Sequence, residues 1–238
     1  MCLLCYIAPE ADVNWNGLET ACRNNPDGFG WSLHLGDRLL VGRSMSSEVA
    51  LQTFYDARLE HPGAHAMFHA RWATHGTTDL SNCHPFHVGN TTHTVLGHNG
   101  VLPIAATGTE SDTAIFARKV LPRRGVKLLD NRRKLADLET WLGGSKLVIF
   151  TTLAKMRREV YIVNEHRGEW ADGTWWSNDS YIPHPWDMRW ATYDDDVCQT
   201  CQRVLTDDDI ACSYCWHCGT CLDCGAIGSE CLCYQPAN

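Results

Sequence analysis

Nine of the thirteen cysteines fall between Cys198 and Cys233. That crowding sets the strongest limit on how the chain can fold. The segment is rich in Cys, Gly and Asp, and holds too few apolar residues for a core of its own. A unit of about 40 residues needs disulfides or a metal to fold. The thiols come as Cys198-x2-Cys201, Cys212-x2-Cys215, Cys218, Cys221-x2-Cys224 and Cys231-x-Cys233. Tetrahedral Zn²⁺ takes four soft ligands, and C-x-x-C pairs deliver them two at a time. The spacing therefore predicts a zinc-ribbon-like module over 198–238, with one or two zinc ions. One pairing joins Cys198, Cys201, Cys215 and Cys218, with Cys221, Cys224, Cys231 and Cys233 on a second ion. A single-zinc ribbon through Cys212 and Cys215 remains open. An iron–sulfur cluster is the rival, since its ligand runs also use C-x-x-C pairs.

The other four cysteines, Cys2, Cys5, Cys22 and Cys83, are scattered through a segment of ordinary globular composition. An odd cysteine total fits reduced, metal-binding thiols better than disulfides, and the expectation is a cytoplasmic protein. The first residues lack a basic stretch and a long apolar core, so no signal peptide is expected. No apolar run approaches the roughly 18 residues of a membrane helix. The formal charge of −8 disfavours nucleic acid and anionic membranes. From Pro183 onward only Arg189 and Arg203 are basic, against nine acidic residues, so the tail suits a protein partner better than a nucleic acid.

Residues 2–182 read as one α+β domain, followed by a linker over 183–197. Cys2–Ala8 is an apolar strand. Phe29–His34 and Arg38–Arg43 form a hairpin around Gly36-Asp37. Ser46-Ser47-Glu48 opens a helix with Val49, Leu51, Phe54, Tyr55 and Leu59 as its apolar positions. Ala64–Ala70, His93–Gly97 and Lys146–Thr152 are strands, and Ser111-Asp112 and Val126–Leu142 mark helices. Glu159–Asn164 and Glu169–Trp176 read as a hairpin around Arg167-Gly168. Strands in runs with helices grouped between them favour a layered sandwich.

Position two carries chemistry. If Met1 is removed, Cys2 offers a thiol and a free α-amine on one residue. The thiolate is a strong nucleophile, and the amine titrates at about 7.7–8.0. Downstream stand Phe68-His69-Ala70-Arg71-Trp72-Ala73-Thr74-His75-Gly76, Asn82-Cys83-His84-Pro85-Phe86, Gly97-His98-Asn99-Gly100-Val101-Leu102 and Ser111-Asp112-Thr113. In this order behind Cys2, they resemble the glutaminase domain of class II glutamine amidotransferases, which are N-terminal-nucleophile hydrolases. The resemblance covers about residues 2–180 and is most specific at Arg71–Gly76 and Asn99-Gly100. Asn25-Pro26-Asp27-Gly28-Phe29-Gly30-Trp31 looks like the stand-alone type.

The resemblance implies a four-layer αββα sandwich and glutamine as substrate. Cys2 is then the nucleophile, with its own α-amine as base. The amide of Asn99 and the N–H of Gly100 hold the oxyanion. Arg71 meets the substrate carboxylate through its planar fork. Asp112 meets the ammonium, and Trp72, Thr74 and His75 line the substrate site. Arg23 is a candidate for the arginine that fixes the N-terminus. A glutamyl thioester forms, ammonia leaves, and water releases glutamate. No synthetase domain follows the glutaminase segment, so a separate ammonia-accepting synthetase is the expected partner, with nucleobase or nucleotide amination as one destination. Two other readings stay open: an amide hydrolase with another substrate, and an inactive subunit that docks through its cysteine-rich tail.

Overall fold

The computed structural model describes residues 2–183, 198, 200, 214, 215 and 217–222. Most of the linker segment, and Cys201, Cys212, Cys224, Cys231 and Cys233, lie outside the described residues. The chain divides into two compact units, Met1–Ile182 and Pro183–Asn238. No helix among the described residues is long and apolar enough to cross a membrane.

The first unit is mixed α/β, built on two antiparallel sheets. Its strands are β1 (Leu3–Ile7), β2 (Phe29–His34), β3 (Leu39–Ser44), β4 (His65–Ala70), β5 (Phe86–His87), β6 (Thr94–Asn99), β7 (Lys146–Thr151), β8 (Val160–Val163), β9 (Glu169–Ala171) and β10 (Thr174–Trp176). The first sheet has the order β3-β2-β4-β1-β10-β9, and the second β5-β6-β7-β8. Helices α1 (Trp15–Asn24) and α2 (Ser47–Glu60) precede β2 and β4. Between β6 and β7 run α3 (Asp112–Ile115), a π-helical stretch Phe116–Val120, α4 (Leu121–Arg124) and α5 (Arg132–Leu142).

Three apolar clusters explain the stacking. Leu3, Cys5, Ile7, Phe29, Leu33 and Phe68 of the first sheet pack against Leu18, Phe54 and Ala57 of α1 and α2. Leu96, Leu147 and Ile149 of the second sheet pack against Phe116, Leu138 and Leu142 of the other helices. Leu4, Tyr6, Met67, Val95, Val148, Phe150 and Trp175 fill the space between the sheets. The alternation of β1 follows from the two-residue period of a strand: odd positions 3, 5 and 7 face the helices, and 4 and 6 face the other sheet.

Several elements match the sequence reading, including the β2–β3 hairpin and the Ser46 cap, whose side chain accepts from Val49 N at 3.3 Å. Three differ. In α2 the buried face is Ala50, Phe54 and Ala57, whereas Val49 is 52% and Leu59 64% exposed. Of the expected apolar positions Phe54 is fully buried and Leu51 packs against the core, and small alanines rather than Val49, Tyr55 or Leu59 complete the face on the sheet. The helix expected over Val126–Leu142 is split. A 3₁₀ turn, Val126–Asp130, is followed by Asn131, whose side chain accepts from Lys134 N at 3.0 Å and caps α5.

The third difference is topological. β8 and β9 do not form a hairpin: β8 pairs with β7 in the second sheet, and β9 with β10 in the first. The chain leaves one sheet for the other at Asn164, which sits at φ 59°. Gly168 serves close approach rather than a turn, because a Cβ there would meet the Trp175 ring at 2.5 Å and Trp176 O at 2.4 Å. The true hairpin turns on Asp172 (φ 47°) and Gly173 (φ 76°), the left-handed pair that a two-residue Asp-Gly loop favours.

Candidate active site

Strand parity places Cys2 on the Leu4 side of β1, toward the space between the sheets. Its Sγ donates to Trp72 O at 3.4 Å and accepts from Trp72 N at 3.3 Å. Burial pushes the thiol pKa up, opposed by the Trp72 N–H and the charge of Arg71. The resting sulfur is therefore a thiol, which becomes a strong nucleophile only once a base takes its proton. Cys5 is fully buried on the opposite face, with burial raising its thiol to about 12. It has no exposed reactive character.

The backbone of Cys2 is held from the other end of the unit. Asn178 Nδ2 donates to Cys2 O at 2.8 Å. Ser177 N donates to Leu4 O at 2.9 Å, and Leu4 N donates to Ser177 Oγ at 2.9 Å. Arg23, the sequence candidate for this role, instead donates to Thr20 Oγ1 on its own helix at 3.1 Å. Ser177 and Asn178 escaped the sequence reading because Ser-Asn after a tryptophan pair carries no spacing signal.

Asn99 ends β6 and is buried. Its Nδ2 donates to Ser177 Oγ at 2.8 Å, and its Oδ1 has no hydrogen-bond partner among the described residues. Gly100 follows at φ 137°, where a Cβ would meet Ser145 Oγ at 2.3 Å, so only glycine fits. The structure thus links Leu4 to Asn99 through hydrogen bonds at Ser177, while Asn178, next in the chain, holds Cys2 O.

Arg71 leaves β4 and is buried, with N hydrogen-bonded to Gly28 O and O accepting from Asp27 N. Its guanidinium donates to Thr77 O at 3.0 Å and His75 O at 2.8 Å. Trp72 is 48% exposed beside the Cys2 thiol. Thr74 and His75 are exposed, and their side chains lie 3.2 Å apart at Thr74 Oγ1 and His75 Nδ1. His75 reaches Arg71 only through its carbonyl. Asp27 Oδ2 accepts from Ala73 N at 2.8 Å and anchors this loop, a role that its place in the Pro-Asp-Gly turn concealed.

Asp112 opens α3 behind its N-cap, Ser111, whose hydroxyl accepts from Ala114 N at 3.2 Å. The helix start expected at Ser111-Asp112 is met by this cap. The buried carboxylate accepts from Leu102 N at 2.7 Å and Thr113 N at 2.7 Å. Asn82 knits the surrounding loops, donating to Thr77 O and Thr109 O and accepting from Ser111 N.

Behind these residues lie three buried histidines. His69 Nε2 meets His98 O at 2.9 Å, His98 Nδ1 meets Thr113 Oγ1 at 2.7 Å, and His84 stacks on His69 with centroids 3.8 Å apart. Burial holds His69 down to about 3 and His98 to about 4, and holds His84 well below the ordinary histidine range. All three are neutral at pH 7.

In the second unit, the sulfurs of Cys198, Cys215 and Cys218 lie within 4.8 Å of one another. Cys198 Sγ and Cys218 Sγ are 3.6 Å apart, and Thr220 Oγ1 is 3.1 Å from Cys218 Sγ. Residues 214–215 and 220–221 form a small hairpin that carries Cys215 and Cys221.

No family model matches the chain. Over 91 residues, 38% of its length, the chain is 32% identical to a glutamine–fructose-6-phosphate aminotransferase (isomerizing) of Streptococcus pyogenes. That match spans only 15% of the relative's length. Among solved structures, a glutamine phosphoribosylpyrophosphate amidotransferase from B. subtilis is similar at 16% identity and a TM-score of 0.43, covering 76% of this chain and 43% of that one. A glutamine aminotransferase class-II domain protein from Silicibacter pomeroyi is similar at 13% identity and a TM-score of 0.33, covering 74% of this chain and 87% of that one. The resemblance carried by the motifs stands on that curated relative: this chain is similar to the class II glutamine amidotransferases.

Proposed function

We propose that the first unit is an N-terminal-nucleophile glutaminase of the αββα type, which hydrolyses L-glutamine to glutamate and ammonia. One observation carries the reading: the backbone of Cys2 and the amide of Asn99 are tied together through Asn178, Ser177 and Leu4. In this reading the nucleophile and the oxyanion donor share one hydrogen-bonded frame.

The residues then act as follows. The Cys2 α-amine, once free, takes the thiol proton that burial keeps on sulfur. The thiolate attacks the glutamine amide carbonyl, and Asn99 with the Gly100 N–H receives the developing charge. The leaving amine accepts a proton and departs as ammonia. Water attacks the remaining thioester, which regenerates the thiol. Arg71 keeps N–H donors beyond the two given to His75 and Thr77, and these can meet the substrate carboxylate. Asp112, fixed by two backbone N–H groups, faces the substrate ammonium. The ammonia passes to a separate acceptor enzyme.

We further propose a zinc ion on the second unit. Three soft thiols within 4.8 Å are three corners of a tetrahedral sulfur site. They belong to the predicted set of Cys198, Cys201, Cys215 and Cys218, whose remaining member lies outside the described residues. The ion would fix the fold of this unit and take no part in amide hydrolysis.

Replacing Cys2 by Ala tests the function. Glutamine hydrolysis is expected to fall to background, with no thioester trapped on the protein by mass spectrometry. Full activity in that variant would overturn the mechanism.

A further inference from the structure

Ser177 sits between two strands that belong to different sheets. Its Oγ accepts the N–H of Leu4, two residues beyond the candidate nucleophile, and pairs with the side-chain amide of Asn99 at 2.8 Å. A serine hydroxyl has one proton to give and two lone pairs. With Asn99 Nδ2 as donor, both lone pairs of Ser177 are used, and Asn99 Oδ1 is left buried with no partner among the described residues. Rotating the Asn99 amide half a turn about its last bond changes the accounts of all three groups. The Ser177 proton then goes to Asn99 Oδ1, the Leu4 N–H still has its acceptor, and the Asn99 NH₂ turns to the position that Oδ1 now holds. An amide oxygen aimed at a developing oxyanion would repel it, whereas an N–H stabilises it.

We propose that Ser177 is a positioning residue, which selects the Asn99 rotamer with its NH₂ aimed at the reacting carbonyl and locks that amide to the strand carrying Cys2. The proposal rests on the glutaminase reading of Cys2 and Asn99. Ser177 never touches substrate; it acts by orienting Asn99. Asn178, next in sequence, holds the carbonyl of Cys2, so adjacent residues position the oxyanion donor and the nucleophile.

The test uses the full-length protein with Ser177→Ala, Ser177→Cys and Ser177→Thr. With glutamine, S177A is expected to lose about 10²-fold in kcat, the scale of one lost oxyanion donor, with KM within threefold of wild type. Alkylation of Cys2 by iodoacetamide needs no oxyanion stabilisation, so its rate should stay within threefold. S177T retains the hydroxyl and should recover kcat to within tenfold. The side-chain amide ¹H–¹⁵N signals of Asn99 should shift in S177A and return in S177T. S177C keeps the bulk with a much weaker donor, and carries the same comparison if the alanine variant does not fold. A kcat within threefold of wild type in S177A, a parallel collapse of alkylation and kcat, or unchanged Asn99 amide signals would each overturn the proposal. A wild-type protein without glutaminase activity would sink the functional reading, while the Asn99 signals judge the role of Ser177 separately.

Discussion

Arg71 gives two of its guanidinium donors to the carbonyls of His75 and Thr77, and so shapes the loop that it leads into. A lysine cannot span two carbonyls with a planar fork. Arg71→Lys is therefore expected to raise the KM for glutamine at least tenfold while leaving the fold intact, as steady-state kinetics and a thermal melt would show. The three buried histidines make a second demand. Their folded pKa values lie below the ordinary 6.5, with His69 at about 3 and His98 at about 4. Below pH 6.5 the unfolded chain binds more protons than the folded one, so stability is complete above 6.5 and falls as pH drops toward 3–4. Each histidine contributes a slope of about 1.4 kcal/mol per pH unit within that window. Urea midpoints measured between pH 7 and pH 5 should fall with pH, and less steeply in His69→Gln. At this scale the sequence singled out Arg71, Asn99 and Asp112 as candidates, because Arg, Asn and Asp match the charged and polar parts of the proposed substrate. It did not announce Ser177, Asn178, Asp27 or Asn82, whose roles are bonds to backbone from distant segments.

Among the elements, α2 shows where patterning misleads. Its apolar residues are spread around the helix, and burial rather than residue size separates Phe54 from Leu59. Phe54→Ala should cost about 3–5 kcal/mol in denaturant unfolding, whereas Leu59→Glu should change stability by less than about 0.5 kcal/mol. Equal losses would reverse the assigned face. The β8–β9 crossing shows the same limit differently. Gly168 and Gly173 look alike in a sequence, yet one admits a tryptophan ring and the other turns a hairpin. Only Asp172-Gly173 carries the local left-handed preference that makes a turn readable. Central strands such as β7 were legible because a continuous apolar run, buried on both faces, has few alternatives.

Across the whole molecule, two kinds of folding are expected in one chain. The first unit holds itself together by three apolar clusters. The second is expected to rely on thiols, of which Cys198, Cys215 and Cys218 converge. Metal analysis should find at least one zinc per chain and no strong visible absorption; a brown protein would point to iron and sulfur instead. Cys201→Ala should lower the zinc content without abolishing glutamine hydrolysis.

The clamp on Cys2 also has a history written into its sequence separation. Asn178 lies 176 residues from the carbonyl that it holds. A ribosome makes about 5–20 residues each second, so roughly 10 to 35 s pass between the emergence of Cys2 and that of its clamp. Throughout that interval the first strand has no β10 to pair with, so the removal of Met1 on which the proposed mechanism depends would have its opening before the clamp exists.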